Sequence, residues 1–266
     1  MLPELSLGQF SVVANFLSFA VATLAASALF YFIGPGVNKR YRLAVVVSGL
    51  VCFIATYHYF RIYDSFTTAY TLEKVGDAAR YVATGKPFND FYRYADWFIT
   101  VPLLMVELVA VLALQRSESR TLLTKLVVAT ALMIALGYPG EISTEAGTRW
   151  LWWGLSMIPF LYTLYVLFIE LGKALTRQPE AVRGLISTAR IVILITWVFY
   201  PIAFAIKTMT GTSASGEVAI QIGYSIADVT AKAGYGLVIY LIARRKSELE
   251  DGVATAGSLA GVESAA

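Results

Sequence analysis

Charged residues are scarce in this 266-residue sequence: Asp, Glu, Lys and Arg together make up 15%, whereas 58% of the residues are hydrophobic. This balance excludes an ordinary soluble domain, in which charged residues are about a quarter of the chain. Cysteine occurs only at Cys52, which excludes a disulfide framework, and its apolar neighbours favour a small buried hydrophobe. The small net charge of +3 does not indicate nucleic-acid binding.

Long apolar segments recur along the chain, and each can cross a bilayer as a helix, which takes about 20 residues. Seven such segments lie near residues 10–33, 41–63, 90–114, 122–140, 149–172, 185–208 and 218–243. The first is expected to be a genuine span, because the N-terminus carries Glu4 and lacks the basic start and cleavage pattern of a signal peptide. The sequence therefore predicts an all-α membrane protein, a seven-transmembrane helix bundle.

Basic residues mark one side of this bundle. They cluster in alternate connections and after the last segment, at Lys39, Arg40, Arg42, Arg116, Arg120, Lys125, Lys173, Arg177, Arg183, Arg244, Arg245 and Lys246. The positive-inside rule then places the N-terminus outside and the C-terminus in the cytoplasm. Residues 1–247 are predicted to form the membrane domain. Residues 248–266, acidic at first and then rich in Ala, Gly and Ser, are predicted to be a disordered cytoplasmic tail.

The external connection at residues 64–89 is long and mixes both signs of charge. It is either an ordered cap or a loose loop. The sequence leaves both possibilities open.

Two charged residues, Asp228 and Lys232, lie in the middle of the last apolar segment. A charged group at the bilayer centre costs about 2.5–3.5 kcal/mol, so function is the default explanation for two of them. Positions i and i+4 share a helical face, which brings the carboxylate close to the amine. The two residues form either a structural ion pair or a lysine that makes a Schiff base with a carbonyl compound, with Asp228 as its counterion.

A polar stripe runs along the third segment. Asp96 and Glu107 are eleven residues apart, which returns them to one face within about 20° and separates them by about 16 Å. Arg93 and Thr100 share that face. The stripe predicts a proton path in which Asp96 is the acceptor on the outer side and Glu107 remains protonated on the cytoplasmic side until needed. Arg93 is expected to keep Asp96 anionic, and Thr100 is expected to hydrogen-bond it.

The single histidine, His58, lies among aromatic residues near the outer end of the second segment. A histidine in such surroundings commonly packs or caps a helix. Asp96 should lie at a comparable depth, so the functional interpretation is a hydrogen bond between His58 and Asp96. No metal site is expected.

Together these motifs resemble those of the microbial (type 1) rhodopsins. The resemblance rests on Arg-Tyr-Ala-Asp-Trp at 93–97 with Thr100 and Glu107, on Trp197 with Tyr200 and Pro201, and on Asp228 with Lys232 and the Ala-Gly-Tyr-Gly that follows. The triplet of Asp96, Thr100 and Glu107 is similar to that of the proteorhodopsin- and xanthorhodopsin-like proton pumps. Within that branch, three features together resemble xanthorhodopsin: Leu-Gly-Tyr-Pro-Gly-Glu at 136–141, the long connection at 64–89, and Ala-Asp-Val at 227–229.

This resemblance implies a light-driven outward proton pump rather than an enzyme, with all-trans retinal bound as a protonated Schiff base to Lys232. It implies Asp96 as proton acceptor and primary counterion, partnered by His58, with Asp228 as second counterion and Glu107 as cytoplasmic donor. The implied pocket consists of Tyr59, Trp97, Leu104, Met133, Gly137, Trp153, Ser156, Phe160, Trp197, Tyr200 and Phe204. The acidic pair that serves proton release in bacteriorhodopsin has no match near Ile220, so another release route is expected.

Some similar proteins carry a carotenoid antenna, which a glycine on the fifth helix admits to the retinal. Trp153 occupies that position here, next to Gly154, so we expect no antenna. The expected surroundings are membrane lipid, in the bacterial inner membrane, with protons as the transported species. We expect a homo-oligomer, no nucleic acid and no obligate protein partner. The alternative function is a sensory rhodopsin that signals through a partner protein, for which Glu107 would be unnecessary.

Overall fold

The structure is a computed structural model that describes residues 2–75, 78–88, 91–211 and 213–263. Within these residues, seven helices are long and apolar enough to cross a membrane, which confirms the predicted seven-helix bundle. Four spans are single helices: α1 (Leu7–Ile33), α2 (Lys39–Ala69), α3 (Phe91–Leu112) and α4 (Arg116–Ile142). The fifth span joins α5 (Ala146–Tyr165), a π-helical turn (Val166–Glu170) and α6 (Leu171–Leu175). The sixth span is α7 (Glu180–Thr210), and the seventh joins α8 (Ala214–Val229), a π-helical turn (Thr230–Gly234) and α9 (Tyr235–Glu263).

Burial differs sharply between the spans. In their most apolar 18-residue windows, 61% of the residues are buried in the third and seventh spans, but only 22% in α4. The two deeply buried spans are those with charged residues at their centres. Because a charge in contact with lipid is costly, these residues are turned into the bundle, while apolar side chains cover the outside.

The connection between α2 and α3 contains an ordered antiparallel sheet, so of the two predicted possibilities the structure has the cap. Strand β2 (Tyr70–Val75) pairs with β3 (Ala78–Ala83), with Tyr70 opposite Ala83. The short strand β1 (Leu5–Ser6) pairs with the other edge of β3, which gives the order β1-β3-β2. The ring of Phe10 on α1 stacks on Tyr81 of β3 at a centroid distance of 3.7 Å. The sheet is therefore packed onto the end of the helical bundle.

The C-terminal segment differs from the predicted disordered tail. Helix α9 continues without a break to Glu263, and residues 264–266 lie outside the described residues. The acidic side chains of this segment bind the N-terminal end of α2: Glu250 accepts hydrogen bonds from Tyr41 (2.6 Å) and Arg40 (3.1 Å). Asp251 accepts one from Asn38 (3.1 Å). Composition alone could not reveal these partners, because they are more than 200 positions away in the sequence.

Close helix packing near the centre of the bundle depends on Gly236. A Cβ atom there would lie 2.8 Å from a ring carbon of Tyr31 and 3.1 Å from the Cβ of Ser48. Gly236→Ala is therefore expected to destabilise the protein by about 1–3 kcal/mol through overpacking. Thermal unfolding in detergent, followed by circular dichroism, measures this effect.

Gly154 provides the matched control, because a Cβ at this exposed position of α5 would meet nothing within 4 Å. Gly154→Ala should unfold at the wild-type temperature or slightly above it, since alanine has the higher helix propensity. Equal midpoints for the two variants would refute the packing argument at Gly236.

Candidate functional site

Residues of the third to seventh spans line a partly enclosed cavity inside the bundle. Eleven of the predicted pocket and ligand residues line it: Trp97, Leu104, Met133, Gly137, Trp153, Ser156, Phe160, Trp197, Tyr200, Phe204 and Lys232. Tyr59, which was also predicted to line the pocket, lies beside it and binds Asp228 instead.

Sequence reasoning missed part of the cavity wall. The additional lining residues are Tyr94, Val101, Ile134, Met157, Pro201, Tyr224 and Ala231. Most are apolar or aromatic residues within spans, where such residues are too common to be singled out. Ala231 was detectable in principle, because it is adjacent to Lys232.

Lys232 places its amine at the polar end of this cavity. The residue is the middle one of the π-helical turn Thr230–Gly234 and is 2% exposed. Its Nζ lies 2.7 Å from Oδ1 of Asp228 and 3.1 Å from Oδ2 of Asp96. The turn leaves main-chain groups without regular helical partners, and the Tyr31 hydroxyl donates to the carbonyl oxygen of Ala233 at 2.5 Å. The amine is thus held between two carboxylates.

Asp228 is surrounded by hydrogen-bond donors. Its Oδ1 accepts from Tyr200 (2.6 Å), Lys232 (2.7 Å) and Trp97 Nε1 (3.1 Å), and its Oδ2 accepts from Tyr59 (2.7 Å). A carboxylate held by four donors, three of them on other helices, is typical of a fixed anion.

Asp96 has a different environment although it is equally buried, at 1% exposure. Among the described residues, neither of its carboxylate oxygens has a hydrogen-bond partner, and the ion pair with Lys232 is its closest polar contact. A buried carboxylate that lies beside an amine and lacks other hydrogen-bond donors is suited to accept a proton. Asp228, whose negative charge is stabilised by four donors, is not. The two acids are therefore chemically distinct.

The residues predicted to support Asp96 bind groups other than its carboxylate. The Arg93 guanidinium donates to Oε1 of Gln221 (2.5 Å) and to the Tyr59 hydroxyl (3.1 Å), with Asp228 at 3.9 Å, so its described contacts favour the other carboxylate. The Thr100 hydroxyl donates to the main-chain oxygen of Asp96 (2.8 Å) rather than to its carboxylate, because that oxygen lies one helical turn back.

His58 does not make the predicted hydrogen bond to Asp96. Its Nδ1 lies 3.0 Å from the main-chain oxygen of Ile54 and 3.7 Å from Oδ1 of Asp96. The second distance is within ion-pair range but too long for a direct hydrogen bond. The Nδ1 atom thus binds the main chain of the preceding turn of α2, as expected for a capping histidine. The imidazole ring nevertheless lies near the Asp96 carboxylate.

Glu107 is fully buried on the opposite side of Lys232 along α3. The Ser48 hydroxyl of α2 donates to its Oε2, and within the described part of the chain its Oε1 has no hydrogen-bond partner. Sequence reasoning missed Ser48, although a serine within an apolar segment was a usable signal. The surroundings suit a neutral carboxylic acid better than a carboxylate.

Comparison with known proteins agrees with this geometry. The family model for bacteriorhodopsin-like proteins matches residues 12–246. The chain belongs to the bacteriorhodopsin-like family. Members are light-driven ion pumps, transporters rather than enzymes, and the chain is accordingly a multi-pass protein of the cell membrane.

Two solved structures are especially similar to this bacteriorhodopsin-like protein. Thermophilic rhodopsin is 50% identical, with a TM-score of 0.89 over 95% of this chain and 100% of the other. Xanthorhodopsin, described as a light-driven ion pump with dual chromophore, is also 50% identical, with a TM-score of 0.89 over 94% and 99% of the two chains. The green-light absorbing proteorhodopsin of Gamma-proteobacterium EBAC31A08 is 29% identical over 228 residues, which cover 85% of this chain and 84% of that protein.

Proteins of this family bind retinal, and the residues of this site fit that cofactor. The cavity walls are predominantly aromatic and apolar, as a polyene requires. Its polar end presents one buried primary amine, Lys232, with a carboxylate on either side. The amine supplies the covalent attachment point, and the carboxylates balance a positive charge there.

Proposed function

We propose that this protein is a light-driven outward proton pump, with all-trans retinal bound covalently to Lys232. The proposal is supported by the unequal environment of the two carboxylates at Lys232 Nζ: four donors hold Asp228, whereas within the described residues neither carboxylate oxygen of Asp96 has a hydrogen-bond partner. Bound retinal supplies the absorption of light and a light-driven change in geometry at that nitrogen. The protein residues determine where the proton goes.

The outward step uses the difference between the two acids. Asp96 takes the proton from Lys232 Nζ, because protonation removes a poorly solvated charge from the interior. Asp228 keeps its negative charge, since protonation would disrupt its bonds to Tyr59, Tyr200 and Trp97. The positive charge of Arg93 and the negative charge of Asp228 then neutralise each other within the bundle.

The return step uses Glu107. Its buried carboxyl holds a proton on the side of Lys232 away from Arg93, and it passes that proton to Lys232 Nζ after the outward transfer. With the N-terminus outside, as the distribution of basic residues indicates, the Glu107 side is cytoplasmic and net transport is outward. A sensor would have no use for a buried donor, which favours a pump.

Light-induced pH changes test this proposal. Cells expressing the protein with added retinal should acidify an unbuffered medium under green light, and a protonophore should abolish the change. Alkalinisation of the medium would refute the outward direction. No pH change from visibly coloured cells would refute pumping.

Glu107→Gln is expected to slow the recovery of the resting state by about 100-fold or more, because the variant has no proton to donate at this position. Flash spectroscopy measures the recovery rate, and added azide, a small diffusible acid–base pair, should restore part of it. Glu170→Gln is the control, since Glu170 is a paired acid near the membrane surface, 2.7 Å from Lys125. Equal recovery in wild type and Glu107→Gln would contradict the donor role.

We also propose that the protein has no carotenoid antenna. The Trp153 ring lines the cavity and donates from Nε1 to the main-chain oxygen of Pro201 at 3.1 Å, which holds it in the wall. Gly154 is exposed on the outer surface of α5 and does not line the cavity. Added carotenoid should therefore contribute no band to the excitation spectrum of retinal fluorescence, whereas Trp153→Gly should be the variant able to gain one. A carotenoid band in the wild-type spectrum would contradict the proposal.

A further inference from the structure

Glu217 is a buried acid that the steps above do not use. It lies in the first turn of α8 and is 4% exposed. An acid there also interacts favourably with the helix dipole, but that role is available to an exposed side chain and does not require burial. A buried carboxyl at this depth costs free energy, so its surroundings are informative.

Gln221, one turn further along α8, connects Glu217 to Arg93. Its Nε2 donates to Oε1 of Glu217 at 2.9 Å, and its Oε1 accepts from Arg93 Nη2 at 2.5 Å. Arginine has no acceptor, so the amide oxygen of Gln221 must face Arg93 and its NH₂ group must face Glu217. The Glu217 oxygen at this contact is therefore an acceptor, and a proton can reside only on the other oxygen, Oε2.

The same network continues to the amine. Arg93 donates to the Tyr59 hydroxyl at 3.1 Å, and Tyr59 donates to Asp228 at 2.7 Å. Asp228 lies 2.7 Å from Lys232 Nζ. A series of buried polar groups thus runs from the centre of the bundle to Glu217.

Glu217 lies at the same end of the bundle as the sheet, because α2 runs into β2 and the alternating directions of the spans bring the first turn of α8 to that end. Burial is the main cause that raises the pKa of Tyr70 in β2 to about 12, and the negative charge of Glu217 is the second cause. The Tyr70 hydroxyl in turn donates to the main-chain oxygen of Pro3 at 3.3 Å. Glu217 is therefore the member of the Arg93 network that lies nearest the end of the bundle covered by the sheet.

We propose that Glu217 is the proton-exit group of this pump, an inference that rests on the proposed function. The O–H bond of protonated Asp96 breaks, an O–H bond forms at Oε2 of Glu217, and this bond then breaks as the proton passes to external water. Arg93 and Gln221 are positioning residues: they hold the Glu217 carboxyl in line with the carboxylates at Lys232 and do not themselves carry the proton. The role of the missing acidic pair near Ile220 is thereby taken by an acid one turn closer to the external surface.

Flash photolysis of the retinal-bound protein with a pH-indicating dye in the medium tests this assignment. In Glu217→Gln, proton arrival in the medium should be delayed at least about tenfold relative to the wild type. The absorption maximum and the rate of proton loss from Lys232 Nζ should stay unchanged, because glutamine preserves an acceptor for Gln221. Glu217→Asp should restore much of the release rate. Glu73→Gln, which removes an exposed carboxylate from β2 at the same end of the bundle, should behave like the wild type.

The outcomes separate the exit group from the pump itself. Wild-type protein that releases no proton on illumination would overturn the proposed function, whereas unchanged release timing in Glu217→Gln would overturn only the exit group. Gln221→Met is the second variant if Glu217→Gln yields no coloured protein, because it disconnects Glu217 from Arg93. Delayed release in Gln221→Met with normal proton loss from Lys232 Nζ supports the assignment, and undelayed release refutes it.

Discussion

Lys232→Ala is expected to yield a folded but colourless protein that shows no light-induced pH change. The alanine removes the one amine at the polar end of the cavity among the residues that line it. Without that nucleophile no covalent bond to retinal forms, and the aromatic walls alone bind the aldehyde reversibly. An absorption spectrum of the purified protein after incubation with all-trans retinal measures the effect directly.

Lys246→Ala is the matched control for this variant. Lys246 is also a buried lysine of the seventh span, but its Nζ donates to the main-chain oxygens of Val111 (3.0 Å) and Leu112 (2.9 Å) and to Gln178 (3.0 Å), far from the cavity. This variant should keep its colour even if it is less stable. A coloured Lys232→Ala protein, prepared without a substitute amine, would refute the attachment site.

Asp96→Asn is expected to abolish pumping and to shift the absorption maximum to longer wavelength. The carboxylate lies 3.1 Å from Lys232 Nζ, so its removal leaves the amine nitrogen without a proton acceptor on that side. The positive charge at the nitrogen then spreads further along the conjugated chain, which lowers the excitation energy. Loss of a positioned acceptor costs about 10²–10⁴ in rate, enough to bring pumping below detection.

Asp64→Asn serves as the control, because Asp64 is an exposed acid near the same end of α2 as His58. It should leave both the spectrum and the pH change at wild-type values. Wild-type pumping by Asp96→Asn would contradict the acceptor role and transfer it to Asp228. A blue shift would contradict the placement of a negative charge at this position.

Local sequence patterns correctly predict the features that depend on a single helix. Apolar length alone predicts the seven spans, because a bilayer satisfies no main-chain groups and therefore forces each such segment into a helix. The helical period likewise predicts that Asp228 and Lys232 meet, and in the structure they are 2.7 Å apart. Both inferences need only the geometry of one helix.

Contacts between helices were not predicted by these local patterns. Arg93 was expected to support Asp96, one turn away on its own helix, yet its long side chain reaches Gln221 on α8 and Tyr59 on α2. His58 lies near Asp96 but uses its Nδ1 for the main chain of its own helix. Each outcome depends on which hydrogen-bond partners lie within reach of the side chain in the packed bundle. The pattern of polar residues along one helix does not specify those partners.

The sequence by itself therefore determined the class of protein, the number of spans, the central amine with its carboxylates and the resemblance to microbial rhodopsins. Only the tertiary structure decided that hydrogen-bond donors surround Asp228 and not the Asp96 carboxylate. It also decided that Ser48 binds Glu107 and that Glu217 joins the Arg93 network. The physical reason is that span formation follows from transfer of one segment from water to lipid, whereas the balance between two buried acids follows from donors on several helices. Those donors come from distant parts of the chain and meet only in the packed bundle.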